Sequence, residues 1–313
     1  MTERGTALLD RPERPTPLRA MRLPVGLIRT ARPRQWVKNV LVMAAPASAG
    51  ALDSRHTAVQ LAVVFVLFTT AAAGVYLIND ARDAGADRAH PVKCRRPVAA
   101  GDVPVALAHT VGALLAGAAI AGAVTLCNAM TGALLIAYLS MQLAYCIWLK
   151  HVLVVDLAVV STGFLMRAMI GGIALGIPLS RWFLITTGFG ALFMVAAKRY
   201  SEAVQMEGAR GATRALLNEY TTGYLRFVWQ LAAGVAVLAY CLWAMESGGV
   251  ADRALLPWRQ LSMIAFILAV LRYAVFADRG TAGAPEDVVL RDRAFAVIGL
   301  VWAAMYGLAV ADL

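Results

Sequence analysis

The sequence predicts an all-α, polytopic membrane protein, and three observations carry that prediction. Charged side chains make up 15% of the 313 residues against 60% hydrophobic ones, and the mean hydropathy is +0.67. A soluble surface of this size needs far more charge to stay wetted. Stretches such as Thr57 to Ile78 and Thr131 to Leu149 hold no charged side chain, and each approaches the roughly 20 apolar residues that cross a bilayer as a helix. Gly and Ala are plentiful and no strand-like alternation is seen, which favours helices over a lipid-embedded barrel.

Hydropathy places about nine spans along the chain. The first starts near Gln35 and ends near Leu52. The others are Thr57 to Ile78, Val103 to Val124, Thr131 to Leu149, Val152 to Gly176, Trp182 to Ala197, Phe227 to Met245, Leu261 to Phe276 and Ala294 to Val310. Residues 35–313 thus form a single transmembrane domain. The Arg- and Pro-rich residues 1–34 have no continuous apolar run, so a disordered cytosolic tail is expected there rather than a cleaved signal.

The net charge of +10 lies in short loops between spans. It therefore belongs to membrane topology and not to nucleic-acid binding. Of the 29 Lys and Arg, 24 fall on the side of the N-terminus and the even-numbered span ends, which places that side in the cytosol. Cys94, Cys127, Cys146 and Cys241 are scattered without a CxxC pair, so neither a metal site nor a disulfide framework is indicated.

The chemistry is concentrated where the second span ends: Asn79-Asp80-Ala81-Arg82-Asp83-Ala84-Gly85-Ala86-Asp87. On a continuing helix Asn79, Asp83 and Asp87 fall at i, i+4 and i+8, with Asp80 beside them. Hard oxygen ligands of this kind suit Mg²⁺, which binds through a few carboxylates plus substrate phosphate oxygens. Carboxylates at a helix C-terminus oppose the macrodipole, so stability does not account for three of them. The next residues reverse the sign: His90, Pro91, Lys93, Arg95, Arg96 and Pro97. Topology alone enriches such a loop in cations, but a carboxylate cluster followed at once by cations suits a metal-bound diphosphate.

Two further groups open to the same side. Lys198, Arg199, Tyr200, Ser201 and Glu202 follow the sixth span, and Gln35, Trp36, Lys38 and Asn39 precede the first; Trp36 and Lys38 also fit ordinary interfacial anchors. Arg167 and Asp156 fall inside the fifth span, where charge is costly and marks function by default. Arg167 is expected to face an anionic headgroup, and Asp156 to be a satisfied structural carboxylate. No Ser-His-Asp spacing, HExxH or P-loop occurs, which disfavours a hydrolase or an ATP-driven pump.

An N-D-x-x-D-x-x-x-D motif after a span, then His90-Pro91 and Arg96-Pro97, resembles the UbiA superfamily of intramembrane prenyltransferases. That resemblance implies nine helices around a central cavity. The superfamily's usual second Asp-rich motif is replaced here by Lys198-Arg199-Tyr200-Ser201-Glu202. Together with Arg32 to Asn39, Tyr224 to Trp229, Pro285-Glu286-Asp287 and Leu290 to Arg293, this is similar to one branch, which transfers phosphoribosyl groups to polyprenyl phosphates in actinobacterial cell-wall synthesis. The implied partners are phosphoribosyl diphosphate, a polyprenyl phosphate, membrane lipid and Mg²⁺; a homo-oligomer stays open. Metal ligation is expected of Asn79, Asp80, Asp83 and Asp87, and catalysis of Asp83, Asp87, Lys198 and Tyr200. Substrate binding is expected of Gln35, Lys38, Asn39, Lys93, Arg96, Arg167, Arg199 and Glu202. The alternatives are prenyl transfer to a quinone or haem precursor and, from another class, a transporter.

Overall fold

The computed structural model describes residues 17–207, 219–246, 256–284, 288 and 291–310. Among the described residues every regular element is a helix. Bilayer burial requires this of an open chain, because a helix satisfies its backbone groups within one segment. Helix α1 (Pro17–Thr30) leads into a 3₁₀ segment (Pro33–Met43) and a short α2 (Ala44–Ser48). Then follow α3 (Arg55–Ala89), α4 (Val105–Leu126), α5 (Ala129–Ile147), α6 (Val155–Ala174), α7 (Arg181–Glu207), α8 (Thr222–Met245), α9 (Trp258–Asp278) and α10 (Arg293–Val310).

Seven of these, α3 to α6 and α8 to α10, are long and apolar enough to cross a membrane. The expected first and sixth spans are not among them. Pro33 and Pro46 remove backbone donors, and Gln35 to Leu52 runs as 3₁₀ turns and a five-residue helix instead of one straight span. In α7 the uncharged stretch from Trp182 ends at Ala197, where Lys198 and Arg199 follow. The expected disordered tail is also corrected in part, since Pro17–Thr30 is helical. Its Leu27 packs with Leu77, Ala81, Ala84 and Val103, and a Cβ on Gly26 would overlap Val103.

Length is what builds the site. At about 1.5 Å per residue the 35 residues of α3 reach about 52 Å, well past a hydrocarbon core of about 30 Å. Ser54 caps the start by accepting from Thr57 N–H at 3.0 Å, and the far end carries Asn79 to Asp87. The 27 residues of α7 likewise run on through Lys198 to Glu207.

Small residues bring the helices together. A Cβ on Gly74 of α3 would meet the Gly112 carbonyl of α4, and one on Gly112 would meet the Gly74 carbonyl, so these backbones touch as in other small-residue crossings. Phe68, Leu135, Tyr138 and Ile170 fill the core between α3 and α6. Phe193, Tyr200, Trp229 and Tyr273 fill that between α7 and α9. Tyr306 of α10 donates to the Ser48 carbonyl at 3.1 Å, which ties the last helix back to α2. Large apolar side chains such as Leu114, Phe227, Ile264 and Leu300 point outward, as a lipid-facing surface requires.

Candidate active site

The end of α3 is held by cations on three sides. Asp80 is 2% exposed and Asp87 3%. Asp80 Oδ1 lies 3.2 Å and Asp87 Oδ2 2.7 Å from one atom, Arg96 Nη1. Arg32 adds a second contact, its Nη2 at 2.7 Å from Asp80 Oδ1 and its guanidinium 4.7 Å from the Tyr76 ring centroid. Asp83 turns elsewhere, to Lys150 Nζ at 3.3 and 3.4 Å. Three carboxylates thus face Arg32, Arg96 and Lys150.

Helix geometry narrows the expected face to a closest pair. At about 100° per residue, seven residues return to within about 20° of the start, whereas eight overshoot by about 80°. Asp80 and Asp87 therefore converge, while Asn79, Asp83 and Asp87 spread over a wider arc. Among the described residues no three His, Cys, Asp or Glu side chains gather as a metal cage. The donor chemistry still fits a magnesium–diphosphate. Two buried carboxylates already converge on a single cationic atom, and Mg²⁺ takes only one or two carboxylates beside phosphate oxygens.

The loop after α3 is shaped by local bonds. His90 Nδ1 accepts from the N–H groups of Val92 and Lys93 at 3.2 and 3.3 Å, so this imidazole shapes a turn. Cys94 Sγ donates to the Pro91 carbonyl at 3.6 Å in the same turn. Lys93 is half-buried beside it.

The charged end of α7 divides. Lys198 and Glu202 share one face at 4.0 Å. Arg199 turns to α6, with Nη2 3.7 Å from Asp156 Oδ2 and Nη1 3.2 Å from Glu202. Tyr200 turns to α8, is 4% exposed, and its hydroxyl accepts from Arg226 Nη2 at 2.6 Å. Successive helical residues are about 100° apart, so the five cannot act on one face. Of the expected group, Lys198 and Arg199 stay joined through Glu202, while Tyr200 turns away to Arg226. Asp156, expected inside the fifth span as a satisfied structural carboxylate, stands in the first turn of α6, where the helix dipole favours a carboxylate.

Arg167 also departs from expectation. Its Nε donates to Asn39 Oδ1 at 3.0 Å, Nη1 to the Gly163 carbonyl at 2.7 Å and Nη2 to the Tyr138 hydroxyl at 2.9 Å. The rings of Phe68, Tyr138 and Phe164 surround it at 5.2 to 5.4 Å. Asn39 in turn donates to Thr69 at 3.0 Å. Rather than facing a headgroup, Arg167 and Asn39 pin the 3₁₀ segment to α6 and α3. Gln35 N–H bonds to the Arg32 carbonyl in the first turn of that segment, and Trp36 Nε1 donates to the Ala31 carbonyl. Trp36 thus braces the bend after α1, and Gln35 and Lys38 are half-buried along the same stretch. Pro285, Glu286, Asp287 and Leu290 lie outside the described residues.

Three residues of this site escaped the sequence reading: Arg32, Lys150 and Tyr220. Arg32 stood next to Pro33 in a motif already singled out, and Lys150 is the one Lys or Arg between α5 and α6. Tyr220 gave no signal. Its hydroxyl donates to Asp156 Oδ1 at 2.6 Å. Burial first, and then that bond, push the phenol above its usual range.

A family model described as the UbiA prenyltransferase family matches residues 40–295. The chain belongs to the UbiA prenyltransferase family. Among its curated relatives is the decaprenyl-phosphate phosphoribosyltransferase of Mycobacterium tuberculosis, 49% identical over 293 residues, covering 92% of this chain and 95% of that protein. The protein of the same name from Corynebacterium glutamicum is 44% identical over 300 residues, covering 95% and 89%. A solved UbiA homolog from Archaeoglobus fulgidus, bound to GPP and Mg²⁺, superposes with a TM-score of 0.67 at 15% identity, over 92% of this chain and 100% of that one. At that identity the likeness shows a shared fold. As a UbiA member, the chain is an integral membrane transferase.

Proposed function

We propose that this UbiA protein transfers the 5-phosphoribosyl group of phosphoribosyl diphosphate to a polyprenyl phosphate, decaprenyl phosphate in its relatives, and releases diphosphate. The observation that carries this reading is identity of 44 to 49% to decaprenyl-phosphate phosphoribosyltransferases over nearly the whole chain. The site agrees chemically. The bond from the anomeric carbon to diphosphate breaks, with the electron pair leaving on diphosphate, and a bond to the acceptor phosphate oxygen forms. That acceptor is already anionic, so no general base is required, which suits a site where His90 shapes a turn.

Arg32, Arg96 and Lys150 bind and orient the diphosphate, which holds the ribose close to the acceptor phosphate. Asp80 and Asp87 would hold magnesium, with Asp83 and Asn79 beside them. When bound there, magnesium supplies charge neutralisation on the leaving diphosphate. Lys198, half-buried at the end of α7, contacts the phosphate of the ribose or of the lipid, with Glu202 beside it to orient the ammonium. The product would serve as an arabinan precursor for cell-wall arabinogalactan, and the site would face the cytosol at the plasma membrane.

The test offers purified protein labelled phosphoribosyl diphosphate with decaprenyl phosphate, and in parallel a prenyl diphosphate with an aromatic acceptor. Phosphoribosyl transfer that stops with EDTA and returns with magnesium is expected. Prenyl transfer alone would overturn the assignment. Membrane-impermeant labelling of a cysteine placed at Arg88 checks the orientation: modification in intact cells would contradict a cytosolic site.

A further inference from the structure

The turn between α5 and α6 links the two charged corners of the site, and one of its residues is strained. Val154 has φ 68° and ψ −45°, a γ-turn closed by the Val155 N–H to the Leu153 carbonyl at 2.7 Å, and a positive-φ backbone that a β-branched residue rarely adopts. Strain of this kind persists only where surrounding groups over-determine it. Here the restraint is visible. Val154 N–H donates to the Tyr220 hydroxyl at 2.6 Å, and that hydroxyl donates to Asp156 Oδ1 at 2.6 Å. Tyr220 is 7% and Asp156 2% exposed, and the Tyr220 ring stacks on Tyr224 at 5.7 Å. With its single proton committed to Asp156, the phenol has none to give a substrate.

Lys150 lies four residues before Val154 and reaches both Asp83 oxygens. The direction in which the turn leaves α6 decides where that ammonium lands. Asp156 also faces Arg199, the neighbour of Lys198 on α7. We propose that Tyr220 and Asp156 are positioning residues that lock Val154 in its positive-φ conformation and thereby aim Lys150 at Asp83, on the edge of the donor site. Only the consequence for rate rests on the phosphoribosyl-transfer reading.

A mere brace for the fold would loosen the whole protein when removed, whereas a positioning device moves one lysine. The experiment therefore measures acetylation of each lysine by mass spectrometry on full-length protein in detergent. Tyr220→Phe should raise modification of Lys150 severalfold and leave Lys93 unchanged. Val154→Gly added to Tyr220→Phe should move Lys150 back toward the original value, because glycine takes positive φ without strain. Asp156→Asn should reproduce the Tyr220→Phe pattern, and it serves as the second variant if Tyr220→Phe does not fold. Asp83→Asn should expose Lys150 directly. In the rate, Tyr220→Phe should lower kcat about tenfold, with Val154→Gly restoring part of it. Lys150 left unchanged in Tyr220→Phe, all lysines rising together, or no recovery with Val154→Gly would each overturn the inference. The expected lysine pattern in a protein that transfers no phosphoribosyl group would instead overturn the functional reading alone.

Discussion

Asp80 and Asp83 sit three residues apart on one helix, yet their surroundings differ. The Asp80 side chain is 2% exposed and meets two guanidinium groups; that of Asp83 is 26% exposed and meets one ammonium. The convergence of Asp80 with Asp87 on one atom makes that pair the core of the metal proposal. Asp80→Asn and Asp87→Asn should each lower kcat/KM for phosphoribosyl diphosphate about 10- to 100-fold, the range of one charge-assisted contact. Near-normal rates with unchanged magnesium dependence in both variants would sink the metal assignment. Arg167 predicts a different response. Arg167→Met strands the Asn39 and Tyr138 oxygens inside the bundle, so it should cost about 2–4 kcal/mol of stability, read as a lower thermal midpoint in detergent. An unshifted midpoint with a raised KM for polyprenyl phosphate would restore the headgroup reading and remove the structural one.

The elements explain which parts of this were legible beforehand. Eight of the nine expected spans correspond to helices because uninterrupted apolar runs leave the backbone no other arrangement in lipid. The exception, Gln35 to Leu52, is apolar enough but carries Pro46 and docks too tightly for a regular helix. A Cβ on Gly171 of α6 would overlap the Val42 carbonyl, and that contact lies between segments far apart in sequence. Gly171→Ala should therefore lower the thermal midpoint by the equivalent of about 1–3 kcal/mol. Gly85→Ala, on the open side of α3 with no atom within 4 Å, should be neutral or stabilise by up to about 1 kcal/mol. Equal effects at the two glycines would show that the close approach at Gly171 is not real. The acidic motif was legible because its spacing is local to one helix. The partners Arg32, Lys150 and Tyr220 were not, since their contacts span 48, 67 and 64 residues.

At the scale of the molecule, ion pairs gather at both ends of the bundle, and between them apolar packing encloses the bonds of Arg167 to Asn39 and Tyr138. The carboxylates of α3 and the cations of α7 share one end. At the other, Glu246 after α8 accepts from Arg181 Nη2 and Trp182 Nε1 of α7, both at 2.7 Å, while Arg259 of α9 donates to its carbonyl at 3.1 Å. The bond from Arg181 is the main reason the Glu246 carboxyl is held below its ordinary value of 4.5; the Trp182 bond adds to it, against some desolvation. A carboxyl whose folded value is depressed contributes stability that is fully present above its unfolded value and is lost as pH falls through the folded one. The tie between α7, α8 and α9 should thus hold from neutral pH down to about 4.5 and weaken below it. Asp292, held low by Arg272 at the foot of α10, titrates in the same direction, so a simple acid melt mixes the two groups. The clean measurement is the difference in thermal midpoint between the unaltered protein and Glu246→Gln, followed from pH 7 to pH 3 in detergent. That difference should stay constant to about pH 4.5 and shrink toward zero below it. A difference that persists unchanged to pH 3 would mean that Glu246 stabilises this end through packing and hydrogen bonds independent of its charge.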